Sequence, residues 1–329
     1  MISIVIATYN GSKYIANQLD SLRGQDRQAD EVIIIDDFSA DDTAALINKY
    51  IIENHLSHWI LKINEKNLGY KESFYQGIKA AKGDLIFLCD QDDVWSEKKL
   101  SIMAKILEEN PKIWALSCGV SLIDEMNHHI KVTCEKHWTN SNFLYTKEPI
   151  NRFTSFDAAY IAKHNISPGC TMAFNRNARE GFLNTYEKAL PHDWHINLIA
   201  AVNGGCVYLD ENLVLYRRHE NNAIGANTGV ITGIKNKTRN IRIEDYQSRI
   251  DSLESILRYY ESREDTNLTD AVILLQEMIR FYKNPSPFKL LHLYSNDGYK
   301  ELAKKKIKLW EVIVAFHLDT PIRKLVELM

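Results

Sequence analysis

The sequence predicts an α/β fold built on a mostly parallel, Rossmann-like sheet flanked by helices. Three observations point there. Over roughly the first 120 residues, short apolar runs rich in β-branched side chains alternate with helical patterns, as βαβ units do. Three of those runs end in polar clusters, Thr8-Tyr9-Asn10, Asp36-Asp37 and Asp90-Gln91-Asp92-Asp93. After Gly233 the pattern is helical, so a C-terminal helical extension is expected.

Residues 2–7 form a continuous apolar run, suited to a strand buried on both faces. Residues 14–22 read as a helix with Ile15, Leu19 and Leu22 on one side. A second strand is expected over 31–35, then a helix over 41–54 capped by Ser39 or Asp41. Residues 59–63 predict a third strand, 69–81 a helix and 85–89 a fourth strand. Residues 96–109 predict a helix that Ser96 caps and Pro111 stops. A strand over 114–123 follows. Residues 124–168 read as irregular, and 169–175 as strand-like. A helix over 192–203 and a strand over 206–215 lead into Tyr216-Arg217-Arg218-His219. Three helices are expected beyond, at 242–260, 268–282 and 298–318.

The length of 329 residues suits two domains. Gly and Asn crowd 221–233, which places the boundary there and divides the chain into 1–225 and 226–329. The net charge of −3 gives no global basic field for nucleic acid. It is unevenly spread: residues 221–329 are net +3 and residues 1–220 net −6. Five widely spaced cysteines with no CxxC predict reduced, buried thiols in a cytosolic protein. No basic n-region precedes the first apolar run, so no signal peptide is expected. No apolar run reaches the roughly 18 residues of a membrane span.

Ligands of open parallel sheets bind beyond the carboxyl ends of the strands, where the three polar clusters fall. Asp90, Asp92 and Asp93 repel one another unless a cation lies between them. Such a set suits Mg²⁺ or Mn²⁺, which take one or two carboxylates plus substrate phosphates. An acidic turn capping the next helix is the plainer alternative. Asp36-Asp37 reads either as a strand-to-helix turn or as a carboxylate for a base or a ribose. Lys66-Asn67-Leu68-Gly69 reads as an Asn/Gly turn opening a helix. Neither GxGxxG nor GxxxxGK[ST] occurs, so the dinucleotide and P-loop phosphate cradles are missing. Asp193, after Pro191 and beside Trp194, reads either as a helix N-terminal carboxylate or as a base. Trp138, Trp194 and Trp310 read as packing residues, with sugar stacking open to Trp194.

As an ordered set these residues resemble the family 2 glycosyltransferases with their GT-A nucleotide-sugar-binding fold. The resemblance rests on Ser3-Ile4-Val5-Ile6-Ala7-Thr8-Tyr9-Asn10, Ile35-Asp36-Asp37, Asn67-Leu68-Gly69, Gly83-Asp84 and Asp90-Gln91-Asp92-Asp93. It continues through Gly169-Cys170-Thr171-Met172-Ala173-Phe174-Asn175, Pro191-His192-Asp193-Trp194, and Tyr216-Arg217-Arg218-His219 with Asn221-Asn222. It covers about residues 1–225. The Asp-Gln-Asp-Asp-Val-Trp, His-Asp-Trp and Tyr-Arg-Arg-His wordings are most similar to the rhamnosyltransferase-like branch of bacterial polysaccharide and O-antigen assembly.

The resemblance implies that Thr8, Tyr9, Asn10, Asp36, Asp37, Asn67, Gly69, Asp90, Gln91, Arg218 and His219 hold a UDP- or dTDP-sugar. It implies that Asp92, Asp90 and His219 ligate Mg²⁺ or Mn²⁺, and that Asp193 is the base of an inverting transfer. Many relatives carry Glu-Asp where this chain has His192-Asp193. The implied acceptor is a lipid-linked glycan at the inner face of the cell membrane. The lysine-rich, Trp310-bearing stretch 299–318 reads either as a helix that packs its apolar stripe on the catalytic domain or as a peripheral membrane contact. A sugar-phosphate nucleotidyltransferase would want a Gly-rich, Arg/Lys-bearing first loop, and only Lys13 is offered. A phospho-receiver module would leave the second half unexplained. A processive synthase would need membrane spans and a Gln-x-x-Arg-Trp motif.

Overall fold

The apolar runs become the buried centre of one nine-stranded sheet. The computed structural model describes residues 1–130, 151–188, 190–219, 239–259, 266–297, 299 and 311–319. Its strands are β1 (Ile2–Thr8), β2 (Glu31–Asp36), β3 (Trp59–Ile63), β4 (Leu85–Asp90), β5 (Val94–Trp95), β6 (Ala115–Ile123), β7 (Phe153–Ser155), β8 (Met172–Asn175) and β9 (Cys206–Arg217). The order is β3-β2-β1-β4-β8-β6-β9-β5, with β7 also paired to β9. The β3-β2-β1-β4 half is parallel. β8 runs antiparallel between β4 and β6, while β9 is parallel to β6. β5 and β7 are antiparallel to β9.

Helices α1 (Ile15–Arg23), α2 (Thr43–Glu53), α3 (Tyr70–Ala80) and α4 (Lys99–Glu109) alternate with the parallel strands. Ile2, Ile4 and Ile6 of β1 share one core with Leu19 and Leu22 of α1, Ile47 of α2, and Leu100 and Met103 of α4. α3 covers the other face closely: a Cβ on Gly77 would lie 2.3 Å from Val5 Cγ1. That approach requires glycine.

Some elements differ from expectation for identifiable reasons. The helix expected from Ser96 starts at Lys99, because Val94-Trp95 is drawn into a short pairing with Val214-Leu215. The N-cap of α2 is Asp42, without a capping side-chain bond, rather than Ser39 or Asp41; Asp41 Oδ1 accepts Thr43 N at 3.1 Å in the turn before it, and Ser39 bonds elsewhere. The 169–175 run divides into a 3₁₀ turn, Gly169–Thr171, and β8. The stretch read as irregular contains β7 and α5 (Ala158–Lys163), while residues 131–150, with Cys134 and Trp138, lie outside the described residues. α6 (Arg176–Thr185) was not anticipated; Asn175 caps it by accepting Ala178 N at 3.1 Å. α7 (His192–Val202) falls where the sequence places a helix. Cys89, Cys118, Cys170 and Cys206 are buried free thiols.

The chain divides into two compact units. One comprises Met1–Ile161 and Asn165–His219, the other Ala162–His164 and Glu220–Met329. The second contains α8 (Arg239–Tyr259), α9 (Thr266–Lys283) and α10 (Pro287–Ser295). Its core joins Tyr246, Ile250 and Leu253 of α8, Leu275, Met278 and Tyr282 of α9, and Val314. α10 was not anticipated either; Ser286 caps it and Pro287 opens it. Of the helix expected over 298–318, only 299 and 311–318 lie within the described residues. Among the described residues no helix is long and apolar enough to cross a membrane.

Candidate active site

Strand register levels three chain ends. Thr8 pairs with Asp36 across β1 and β2, and Ala7 with Asp90 across β1 and β4. The first two loops are stitched together by their own polar groups. Thr8 Oγ1 donates to Asp36 Oδ1 at 2.9 Å, and Asp36 also accepts Ser39 N and Ser39 Oγ at 2.9 and 2.6 Å. Asn10 N donates to Ser39 Oγ at 2.9 Å, while Asn10 Oδ1 accepts Ala40 N at 2.8 Å. Gln91 clamps the backbone of Tyr9 from both sides, at 2.8 and 3.0 Å. A Cβ on Gly11 would lie 2.2 Å from Gln91 Oε1, so a larger residue there would push the Gln91 amide off Tyr9.

Of the residues expected to hold the nucleotide, Thr8, Asp36 and Asp37 are therefore buried and engaged within the protein. Asp37 accepts Asn64 Nδ2, Leu68 N and Gly69 N at 2.7–2.8 Å. Those bonds pull the Asn67-Leu68-Gly69 turn onto β2, with Gly69 at φ +86°. Asn67 stays exposed and Tyr9 is 46 % exposed.

The acidic turn is built differently. Asp93 is fully buried, its Oδ1 accepting Arg217 N at 3.0 Å. Arg217 is buried too; its guanidinium donates to Asp92 O at 2.7 Å and Asp124 O at 3.0 Å and lies 4.8 Å over the Tyr14 ring. Tyr14 in turn meets the His219 ring at 4.9 Å. Asp92 Oδ2 and His219 Nε2 are 2.7 Å apart. Lys99 is buried below, donating to Cys170 O at 2.5 Å with its Nζ 3.3 Å over the Trp95 ring.

Burial pushes the Asp90 carboxyl well above its usual range, reinforced by the charges of Asp93, Asp92 and Asp193. Burial likewise lifts Asp93 to about 7, with Asp92 adding to it. Such a turn gathers negative charge that a divalent cation would relieve. Of the expected ligands, Asp92 and His219 are brought together at 2.7 Å. The group of three donor side chains whose ligand atoms lie within 4.8 Å of one another among the described residues is a different one, Asp90, Asp93 and Cys170. Burial raises the Cys170 thiol, with Asp93 and Asp90 adding to the rise. A sulfur donor suits softer metals than Mg²⁺ or Mn²⁺, and Asp93 Oδ1 is taken by Arg217 N.

Asp193 reaches the same region through the 3₁₀ turn. A Cβ on Gly169 would lie 2.8 Å from His192 Nε2 and 3.5 Å from Asp193 Cβ, and the next residue, Cys170, touches Asp93. Asp193 Oδ2 accepts Asn165 Nδ2 at 2.8 Å, and burial raises its carboxyl. His192 stacks on Phe74 at 4.0 Å and meets Tyr70 edge-on at 6.0 Å. Burial lowers its imidazole to about 3, so it stays neutral and serves packing. Tyr70 opens α3 on the rim, 38 % exposed, its phenol pushed up to about 12 by burial and by the charges of Asp193 and Asp90.

Sequence reasoning missed Tyr70, Arg217 and Lys99. Arg217 was within reach, because side chains two apart on a strand share a face: Arg217 belongs with His219, whereas Arg218, half-buried, falls on the other side.

A family profile described as Glycosyl transferase family 2 matches residues 3–182, and the chain belongs to that family. An uncharacterized protein of Mycobacterium tuberculosis is 28 % identical over 220 residues, covering 66 % of this chain and 58 % of that protein. The match thus spans less than two thirds of that relative. The dTDP-rhamnosyl transferase RfbG of Shigella flexneri is 28 % identical over 233 residues, 68 % of this chain and 74 % of that protein. Among solved structures, S. aureus TarS 1–349 in complex with UDP covers 99 % of this chain and 90 % of its own at TM-score 0.59 and 15 % identity. The mannosyltransferase PcManGT of Pyrobaculum calidifontis, in complex with GDP-Man and Mn²⁺, covers 98 % and 86 % at TM-score 0.53 and 17 % identity. These likenesses establish the glycosyltransferase GT-A fold.

Proposed function

We infer that this chain is an inverting, metal-dependent glycosyltransferase. It moves a hexosyl or rhamnosyl residue from a UDP- or dTDP-sugar to a hydroxyl of a lipid-linked glycan in bacterial surface polysaccharide assembly. One observation carries the reading: the Asp92–His219 pair, at 2.7 Å, and the Asp193 carboxyl lie on one rim, with Asp193 close enough to raise Asp90. The rhamnosyl option rests on RfbG, and the Mn²⁺ option on PcManGT.

In this reading Asp193 accepts the proton of the acceptor hydroxyl. The freed oxygen pair attacks the anomeric carbon as its bond to the diphosphate breaks, and the nucleoside diphosphate leaves. A raised pKa brings this base closer to neutrality, which suits proton transfer. Asp90, Asp92 and His219 would hold Mg²⁺ or Mn²⁺, which supplies charge neutralisation for the leaving diphosphate. Arg217 keeps the acidic turn in shape. The peripheral membrane contact belongs to 299–318, and with it a place at the inner face of the cell membrane.

The test is a product assay with UDP- and dTDP-sugars, Mn²⁺ and extracted lipid-linked glycans. Release of nucleoside diphosphate with a glycosylated product is expected. Release of pyrophosphate from a nucleoside triphosphate and a sugar phosphate would replace this reading by nucleotidyl transfer.

A further inference from the structure

The turn after β2 holds an anomaly. Phe38 has φ +64°, the left-handed region that glycine or asparagine occupies readily and a bulky aromatic residue does not. Its side chain is 54 % exposed, so core packing does not repay the strain. Neighbouring bonds hold it in place. Asp37 N donates to Thr8 O at 2.7 Å before it, and Ser39 N to Asp36 Oδ2 at 2.9 Å after it. Asn10, itself at φ +48°, ties this turn to the Tyr9 loop through Ser39 and Ala40. Two large aromatic residues, Tyr9 and Phe38, therefore stand exposed on adjoining loops, beside carboxylates already engaged within the protein. Strain retained without a packing return marks a functional position.

We propose that Phe38 is a wall of the nucleobase subsite, presenting its ring to the face of the donor's pyrimidine across from the Tyr9 loop. This rests on the nucleotide-sugar reading above and adds the residue that grips the base. An aromatic face holds a base by stacking and apolar contact. Asp36 and Asp37 then act by shaping the two loops, and Phe38 supplies contact area that those buried carboxylates do not. The left-handed turn aims the ring outward at the rim, which a relaxed turn bearing glycine would leave bare.

Phe38→Gly and Phe38→Asn test this, since both residues accept the left-handed conformation. The probes are UDP and dTDP with Mn²⁺, and Mn²⁺-pyrophosphate, which has no base. Both variants are expected to melt no lower than the wild type. They should bind UDP and dTDP roughly 5- to 160-fold more weakly, the range of one base-stacking contact. Their affinity for Mn²⁺-pyrophosphate should match the wild type, and Phe38→Tyr should restore nucleotide binding. Unchanged UDP affinity in Phe38→Gly would overturn the proposal. So would a parallel loss of UDP and pyrophosphate, which would make Phe38 a support for the loop. A wild type that binds neither nucleotide would instead remove the transferase reading, and this one with it.

Discussion

Asp193 is where burial and chemistry meet most directly. Its side chain is only 6 % exposed and its carboxyl is raised by that burial against the pull of Asn165. A base must be ionised to work. Its rate therefore falls on the acid side through a pKa above the ordinary carboxylate value of about 3.9. Asp193→Asn keeps size and polarity but not the proton acceptor. Turnover should drop about 10²–10⁴-fold with donor affinity nearly unchanged. Steady-state kinetics across pH read both effects, and near-normal turnover would move the base elsewhere. Asp92→Ala makes a separate claim. Its backbone carbonyl, which Arg217 grips at 2.7 Å, survives the substitution while the partner of His219 is lost. The fold should hold and Mn²⁺-dependent nucleotide binding should vanish, as calorimetry would show. The acidic turn stood out in the sequence because three carboxylates follow an apolar run, but a helix-capping turn has the same wording, and Asp93's bond to Arg217 N is visible only in the structure. The role of His192 was not legible: only the stack on Phe74 shows that it is a packing group.

At the scale of elements, β9 ties the site together, and Arg217 is its decisive side chain. Arg217→Met would leave Asp92 O without its side-chain donor, while Asp124 O keeps Asn127 N at 3.2 Å. An unsatisfied buried carbonyl costs about 1–3 kcal/mol, so a lower melting temperature and a weakened metal site are expected together. Full Mn²⁺ affinity in a folded Arg217→Met protein would show that the turn keeps its shape unaided. The helical unit offers a cleaner case. Glu311 is buried, accepts Tyr282 Oη–H at 3.0 Å, and burial lifts its carboxyl to about 7. A raised folded-state pKa gives stability that is full below the ordinary value and is lost as pH rises through about 7. Glu311→Gln keeps an acceptor for Tyr282 and never ionises. The variant should match the wild type near pH 4 and be more stable at pH 8, by at most about 3 kcal/mol. Identical melting of variant and wild type at both pH values would mean that Glu311 ionises without cost. Elements with strong periodicity were readable: β1 to β4 and α1 to α3 fall where the apolar pattern puts them. Two-residue β5 carries no period at all, and a 3₁₀ turn inside an apolar run looks like strand until Pro168 is seen to redirect the chain.

On the scale of the whole molecule, charge is divided along the chain, and the proposed membrane contact can be tested through that division. Residues 1–220 are net −6 and residues 221–329 net +3. Within the second set, no acidic residue occurs between Glu277 and Asp297, while Arg280, Lys283 and Lys289 are exposed. On α10, Phe288 is 86 % and Leu291 68 % exposed. Beyond it lie Lys300, Lys304, Lys305, Lys306, Lys308 and Trp310. Basic side chains bordering apolar ones favour an anionic lipid surface, each lysine contributing about 1 kcal/mol near it, and salt weakens the effect. Cutting the chain at Ser295 is a poor test, because Glu311, Val314 and Ala315 are buried and would be removed from the core. Point changes are better: Phe288→Ser with Leu291→Ser, and separately Lys304, Lys305 and Lys306 to Gln. Co-sedimentation with phosphatidylglycerol-containing vesicles should capture the wild type at low salt and release it at high salt. The lysine variant should lose the salt-sensitive part of that capture, and the apolar variant what remains at intermediate salt. Recovery of the wild type in the supernatant at every salt concentration would remove the membrane contact and leave the basic stretch as a solvated face.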